Sequence, residues 1–148
     1  MTELNIEYAP KSEDSDRDNW HDRIVEYLRK YLSQPFDRGD PASADFAVGD
    51  LTTDNTWNDL DLSSIAPEDT IAVILRVSID DDSATSRINF RKNGNSDIIA
   101  SPTARMQVAG IPVDHEVIVF CDTSRVIEYR GTNTTFSTID ITVLGWFK

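Results

Sequence analysis

Two hydrophobic periodicities divide the chain. In the stretch NWHDRIVEYLRKYL, residues 19–32, the apolar side chains Trp20, Ile24, Tyr27, Leu28, Tyr31 and Leu32 recur at the spacing of one helix face. Asp18 or Asn19 can cap its start, Arg29 and Lys30 suit the negative end of its dipole, and Pro35 stops it. From about residue 46 the period becomes two. TWNDLDL alternates imperfectly, whereas TIAVILRVSID puts Ile71, Val73, Leu75, Val77 and Ile79 on one face, the clearest strand in the chain. SRINFRK, ARMQVAG, EVIVFCD and RVIEYR follow, and STIDITVLGWF sets Ile139, Ile141, Val143 and Phe147 on one side. DDDSAT, NGN, GIP, DTS and GTNT punctuate these runs with turn formers.

The pattern predicts an all-β chain with an N-terminal helix, its strands forming an antiparallel β-sandwich of jelly-roll type. QPFDRGDPASAD, residues 34–45, reads as a linker, because Pro, Gly, Ser and Asp concentrate there. The organisation expected is therefore an arm (1–18), helix and linker over residues 1–45, and a sandwich domain over 46–148. SEDSDRD in the arm has no apolar residue to bury.

Composition narrows the function classes. A chain of 148 residues, 39% hydrophobic, can build one sandwich-sized core. No apolar run approaches the roughly 20 residues that span a bilayer, and MTELNIEYAPKSEDSD lacks the pattern of a secretory signal. The expectation is no membrane insertion, with any exit from a cell made inside a larger assembly or by lysis. A net charge of −12 argues against a nucleic-acid partner, which needs a basic footprint. The acidity is Asp-rich: 19 Asp and 7 Glu stand against 10 Arg and 4 Lys. That balance resembles proteins of halophilic organisms, whose short carboxylates keep a surface hydrated in salt. Acidic viral and bacterial surface proteins in ordinary salt are the other reading.

Candidate chemistry is sparse. Asp80, Asp81 and Asp82 form the one acidic run inside the sandwich. Calcium takes six to eight oxygens, yet Ser83, Ala84 and Thr85 follow where the loop template needs alternating ligands and a glycine. Strand alternation puts Asp81 opposite Asp80 and Asp82, so the expectation is a hydrated hairpin end, with a bound cation as the alternative. Asp59 and Asp61 have the same weakness as ligands. His21 falls in the helix and His115 in a polar turn, with no G-x-S-x-G near either. The six glycines are scattered singly, which excludes a phosphate-cradling loop. No catalytic residue, metal or cofactor is expected, and the chain reads as a non-enzyme.

The remaining features each have a bland reading beside a functional one. Cys121, the single cysteine, reads as a small core residue rather than a reactive thiol. Asn93-Gly94-Asn95 marks a tight turn flanked by Arg91 and Lys92, a solvated basic spot or a contact for an acidic neighbour. Asn133-Thr134-Thr135 matches an N-glycan acceptor, a match that arises often by chance. Trp57, Trp146 and Phe147 could stack on a sugar, but core packing or a subunit contact is the simpler use. The helix face of Trp20, Ile24, Tyr27 and Tyr31 must be covered, by the sandwich or by other copies. An oligomer or particle contact is favoured because polar segments flank it on both sides.

The stretch from about 57 to 147 resembles a β-sandwich domain of tailed-virus virion structural proteins, from phages or archaeal viruses. The resemblance rests on the W-x-D-L-D-L-S opening, AVILRV, FRKNGN and the I-x-V-L-G-W-F ending. It implies a capsid decoration, spike or tail-appendage protein on the outer surface of a capsid or tail. It also implies a homo-oligomer, preferentially a trimer, with other virion proteins as partners. A tail appendage that binds a receptor or host-surface glycan is the alternative. The family brings no catalytic residues, and residues 1–45 lie outside the resemblance.

Overall fold

The computed structural model describes the backbone of residues 14–32 and 34–148, and side chains from 19 to 30 and from 34 onward. The chain divides into two units, Met1–Gln34 and Pro35–Lys148. The expected arm therefore falls mostly outside the described residues. Helix α1 (Asp14–Leu32) begins a turn ahead of the expected caps, where aspartates favour the positive end of the dipole. Trp20, Ile24 and Tyr27 are half-buried, while every other described residue between 19 and 30 is exposed. Tyr31 belongs to the helix, but its side chain lies outside the described residues.

The second unit is a β-sandwich of two antiparallel sheets. Its strands are β1 (Phe36–Asp37), β2 (Phe46–Ala47), β3 (Asn58–Asp61), β4 (Ala72–Asp80), β5 (Arg87–Lys92), β6 (Thr103–Arg105), β7 (Val113–Phe120), β8 (Val126–Gly131) and β9 (Thr138–Phe147). The first sheet runs β1-β9-β4-β7, with β2 also paired to β9; the second runs β3-β8-β5-β6. Alternation sends Val73, Leu75, Val77, Ile79, Ile139, Ile141 and Val143 inward from the first sheet. They meet Leu60, Ile88, Phe90, Ile127 and Tyr129 from the second in one shared core. Ile71, expected on the same face as Val73, precedes the strand and is half exposed.

The stretch expected to be a linker, 34–45, is largely part of this unit. Phe36 and Asp37 pair with Trp146 and Gly145, and Phe46 and Ala47 pair with Ile141 and Asp140. Between them Val143 faces side chains instead of a strand. Its N–H donates to Asp45 Oδ2 at 2.8 Å, and its carbonyl accepts from Arg38 Nη1 at 3.1 Å. Arg38 and Asp45 also pair with each other, Nη2 to Oδ1 at 2.7 Å. The ion pair thus stands in for the missing backbone donor and acceptor opposite Val143. Pro, Gly and Asp in this stretch mark the excursion, not a domain boundary.

A β-bulge breaks the alternation of β9. Val143 lies opposite Leu75 and Gly145 opposite Ile74, which leaves Leu144 as the extra residue. The bulge reverses the expected facing of the last residues of the strand. Trp146, paired with Val73, packs against the core, and Phe147, paired with Ala72, turns outward. Gly145 is needed because a Cβ there would collide with the Phe36 carbonyl oxygen. Gly145→Ala should therefore cost about 1–3 kcal/mol in a urea titration by displacing β1. Gly49→Ala, where nothing lies within 4 Å of the added methyl, should leave the midpoint nearly unchanged.

Candidate functional site

The acidic turn after β4 divides its three carboxylates. Asp80 is half-buried, Asp82 exposed, and Asp81 only 1% exposed. The expected hydrated turn is thus corrected at Asp81. That residue continues the odd-numbered face of β4, and this face leads between the sheets. Its Oδ2 accepts from Ser86 Oγ and, at 2.7 Å, from Asn133 Nδ2. Its Oδ1 is buried without a hydrogen-bond partner among the described residues. Gly110 N–H donates to the Asp81 carbonyl and Ser137 N–H to the Asp80 carbonyl, so the loops after β4, β6 and β8 meet here. Asn133, whose amide nitrogen a glycan would need, spends that group on Asp81 and Ser86. Among the described residues no three His, Cys, Asp or Glu side chains gather as a metal site.

The other candidates fall into structural roles. Asp59 is exposed, and Asp61 accepts from Ser63 N–H, which holds its carboxyl below the ordinary aspartate range. His115 lies within hydrogen-bond reach of the Arg105 backbone and so bridges edge strands β7 and β6. The ring of His21 lies 5.4 Å from that of Trp20. Cys121 is 4% exposed, its thiol donates to the Thr70 carbonyl, and burial raises its pKa. Gly94 adopts φ 87° in the expected tight turn. Asn93 donates from this turn to Asp122 at 2.8 Å. Burial would raise the Asp122 pKa, but the N–H groups of Val126, Asn93 and Ser124 together hold it below the ordinary value.

The two outer faces of the sandwich carry the unusual chemistry. On the first sheet, the register aligns Phe120, Ala72 and Phe147 in one row and Ile118, Ile74 and Gly145 in the next. Phe120 is 61% exposed and Ile118 51%. The half-buried Ile74 and Phe147 continue this apolar end, and an open cleft of about 300 Å³ runs past Phe36, Ile74 and Leu144. The opposite end of the same face is polar, with the pair Arg76–Asp114 at 2.9 Å and Asp140 opposite Ser78.

The second sheet presents Arg87, Asn89 and Arg91 from β5, Glu128 and Arg130 from β8, and Thr103 and Arg105 from β6. Arg91 pairs with Glu128 through two hydrogen bonds of 2.6 and 3.2 Å. It also stacks 4.0 Å from the centre of the Trp57 ring, with Arg130 5.1 Å from the same ring. The basic spot expected at Arg91 is consequently neutralised, and Trp57 supports guanidinium groups. The run SRINFRK signals this face only through the alternation of Arg87, Asn89 and Arg91; Arg105 and Arg130 join it through strand register.

With the fold in view, comparison with known proteins gives no family: no protein-family model matches the chain, and no curated protein matches it.

The polar knot around Asp81 has a direct consequence. Asp81→Ala leaves the Ser86 hydroxyl and the Asn133 amide without their shared acceptor. Urea unfolding should show a loss of about 1–3 kcal/mol.

Proposed function

We propose that the protein is a non-enzymatic structural component of a tailed-virus particle. It forms a capsid decoration or spike on the outer surface, and it assembles as a homo-oligomer, a trimer in the preferred form. The observation that carries this reading is the apolar end of the β1-β9-β4-β7 outer face. Ile118 and Phe120 expose large side chains on the same side of the sheet as the half-buried Ile74 and Phe147. A contiguous patch of this kind on a chain otherwise rich in surface charge marks an interaction site. The helix face that the sequence predicts from Trp20, Ile24, Tyr27 and Tyr31 is the proposed second contact, for anchoring to sister subunits or to the particle.

We further propose that the sandwich is a jelly roll. With β1 and β2 counted as one interrupted strand, the pairings nest. The first strand pairs with the last (β2 with β9), then β3 with β8, β4 with β7 and β5 with β6. Such nesting is what results when one long hairpin of four strand pairs rolls into two sheets. The sequence resemblance over residues 57–147 points the same way.

A second reading, a receptor- or carbohydrate-binding tail appendage, is favoured by the guanidinium cluster around Trp57. Light scattering of the full chain tests the leading reading. The expected result is a closed oligomer that Phe120→Ser and Ile118→Ser shift towards monomer without lowering the content of β structure. A full chain that stays monomeric at high protein concentration would contradict it.

A further inference from the structure

We propose that the outer face of β3-β8-β5-β6 binds an acidic saccharide, a sugar bearing a carboxylate or sulfate group. Four of the ten arginines, Arg87, Arg91, Arg105 and Arg130, project from neighbouring positions on its three strands β8, β5 and β6. Strands in a sheet lie about 4.8 Å apart, so these side chains stand within reach of a single compact ligand. Arg91 is satisfied by Glu128 and by the Ser96 carbonyl. Arg87, Arg105 and Arg130 make no ion pair among the described residues, although the chain carries 26 acidic side chains. Close positive charges left together on so acidic a protein repel one another unless an anion joins them.

Unpaired polar atoms mark the same place. Asn89 is 4% exposed; its Nδ2 donates to Thr103 Oγ1 at 2.7 Å, and its Oδ1 has no partner among the described residues. Nε of Arg87, Nε of Arg130 and Oγ of Ser101 are also buried and unpartnered there. Buried polar atoms are nearly always hydrogen-bonded, so four exceptions on one sheet face and its adjoining loop call for a cause. Guanidinium groups recognise planar or tetrahedral oxyanions through paired N–H donors. Asn89 Oδ1 needs a donor in return. A sugar acid or sugar sulfate offers both, an oxyanion and hydroxyl groups, whereas an inorganic anion offers chiefly acceptors.

Strands β8 and β5, which carry most of the cluster, are each paired on both sides, so a peptide could add as a strand only at the edge of β6. Recognition on the sheet face itself comes from side chains, which suits a compact ligand. Trp57 fixes the guanidinium groups of Arg91 and Arg130 by stacking, so part of the ordering cost is met before binding. Asp59 and Asp61 on β3 form an acidic rim that disfavours a long polyanion lying across the whole sheet.

Calorimetry on the full chain tests the site with five probes: a uronic-acid tetrasaccharide, a sulfated disaccharide, a neutral tetrasaccharide, polyglutamate and sodium sulfate. The expected result is binding of at least one acidic saccharide, with the neutral sugar, polyglutamate and sulfate weaker by about tenfold or more. Arg130→Gln and the exposed Arg105→Gln should each weaken binding by about tenfold at an unchanged melting temperature, while Arg76→Gln on the other sheet should not. If Arg130→Gln perturbs folding, Arg105→Gln alone decides. No acidic saccharide binding, equal binding of polyglutamate or sodium sulfate, or full binding by a folded Arg105→Gln would overturn the proposal. The site lies away from the apolar face, so Phe120→Ser should keep saccharide binding and Arg105→Gln should keep the oligomeric state. Failure of one reading is therefore distinguishable from failure of the other.

Discussion

The pairing of β4 with β9 is the constraint on which the rest of the sandwich depends. The two strands stay paired over nearly their whole length, from Ala72–Phe147 to Asp80–Thr138. Their inward residues, Val73 to Ile79 and Ile139 to Val143, are buried almost completely. Burying side chains of this size contributes about 1.5–3 kcal/mol each, so this ladder and the facing sheet hold the core together. The single bulge at Leu144 lets β9 serve both neighbours. It keeps the core face intact against β4, and it places Gly145 where the Phe36 backbone crosses closely. The Arg38–Asp45 pair then fills the gap in the opposite edge.

That arrangement satisfies one face of each sheet and leaves two chemically distinct outer faces. One end of the first is apolar, where Phe120 and Ile118 stand on edge strand β7. The second carries guanidinium groups arranged around Trp57 and Asn89. Neither face is the polar, evenly charged surface that most Asp-rich segments of the chain would lead one to expect. An apolar patch suits a second protein surface, while a cluster of arginines short of carboxylates suits an anionic ligand. The two faces are therefore the basis of our proposal that assembly and recognition are separate tasks of one small domain.

Much of this fold is legible in the sequence because its strands are half-buried and alternate cleanly. TIAVILRVSID and RVIEYR declare both their strands and their buried faces. What depends on partners does not show. Phe147 breaks its expected facing because a bulge is invisible in an alternation. Asp81 reads as hydrated because its hydrogen-bond donors, Ser86 and Asn133, come from different loops. The stretch 34–45 reads as a linker because Pro, Gly and Asp describe an interrupted edge strand as readily as a tether. The arginine face escapes for the same reason: Arg105 and Arg130 are far apart in sequence, and only register puts them beside Arg87. The helix stripe is legible as a helix, and its partner is not written in its own pattern.

The central claim is that the apolar end of the β1-β9-β4-β7 outer face is covered by another subunit in solution. Hydroxyl-radical footprinting of the intact chain, read residue by residue by mass spectrometry, tests this most directly. Ile99, 95% exposed in the loop after β5, serves as the reference for a freely accessible apolar side chain. The account predicts that Phe120 and Ile118 are modified far more slowly than Ile99 at high protein concentration and gain reactivity on dilution. Modification of Phe120 and Ile118 at a rate independent of concentration, and in keeping with their exposure in the single chain, would contradict it.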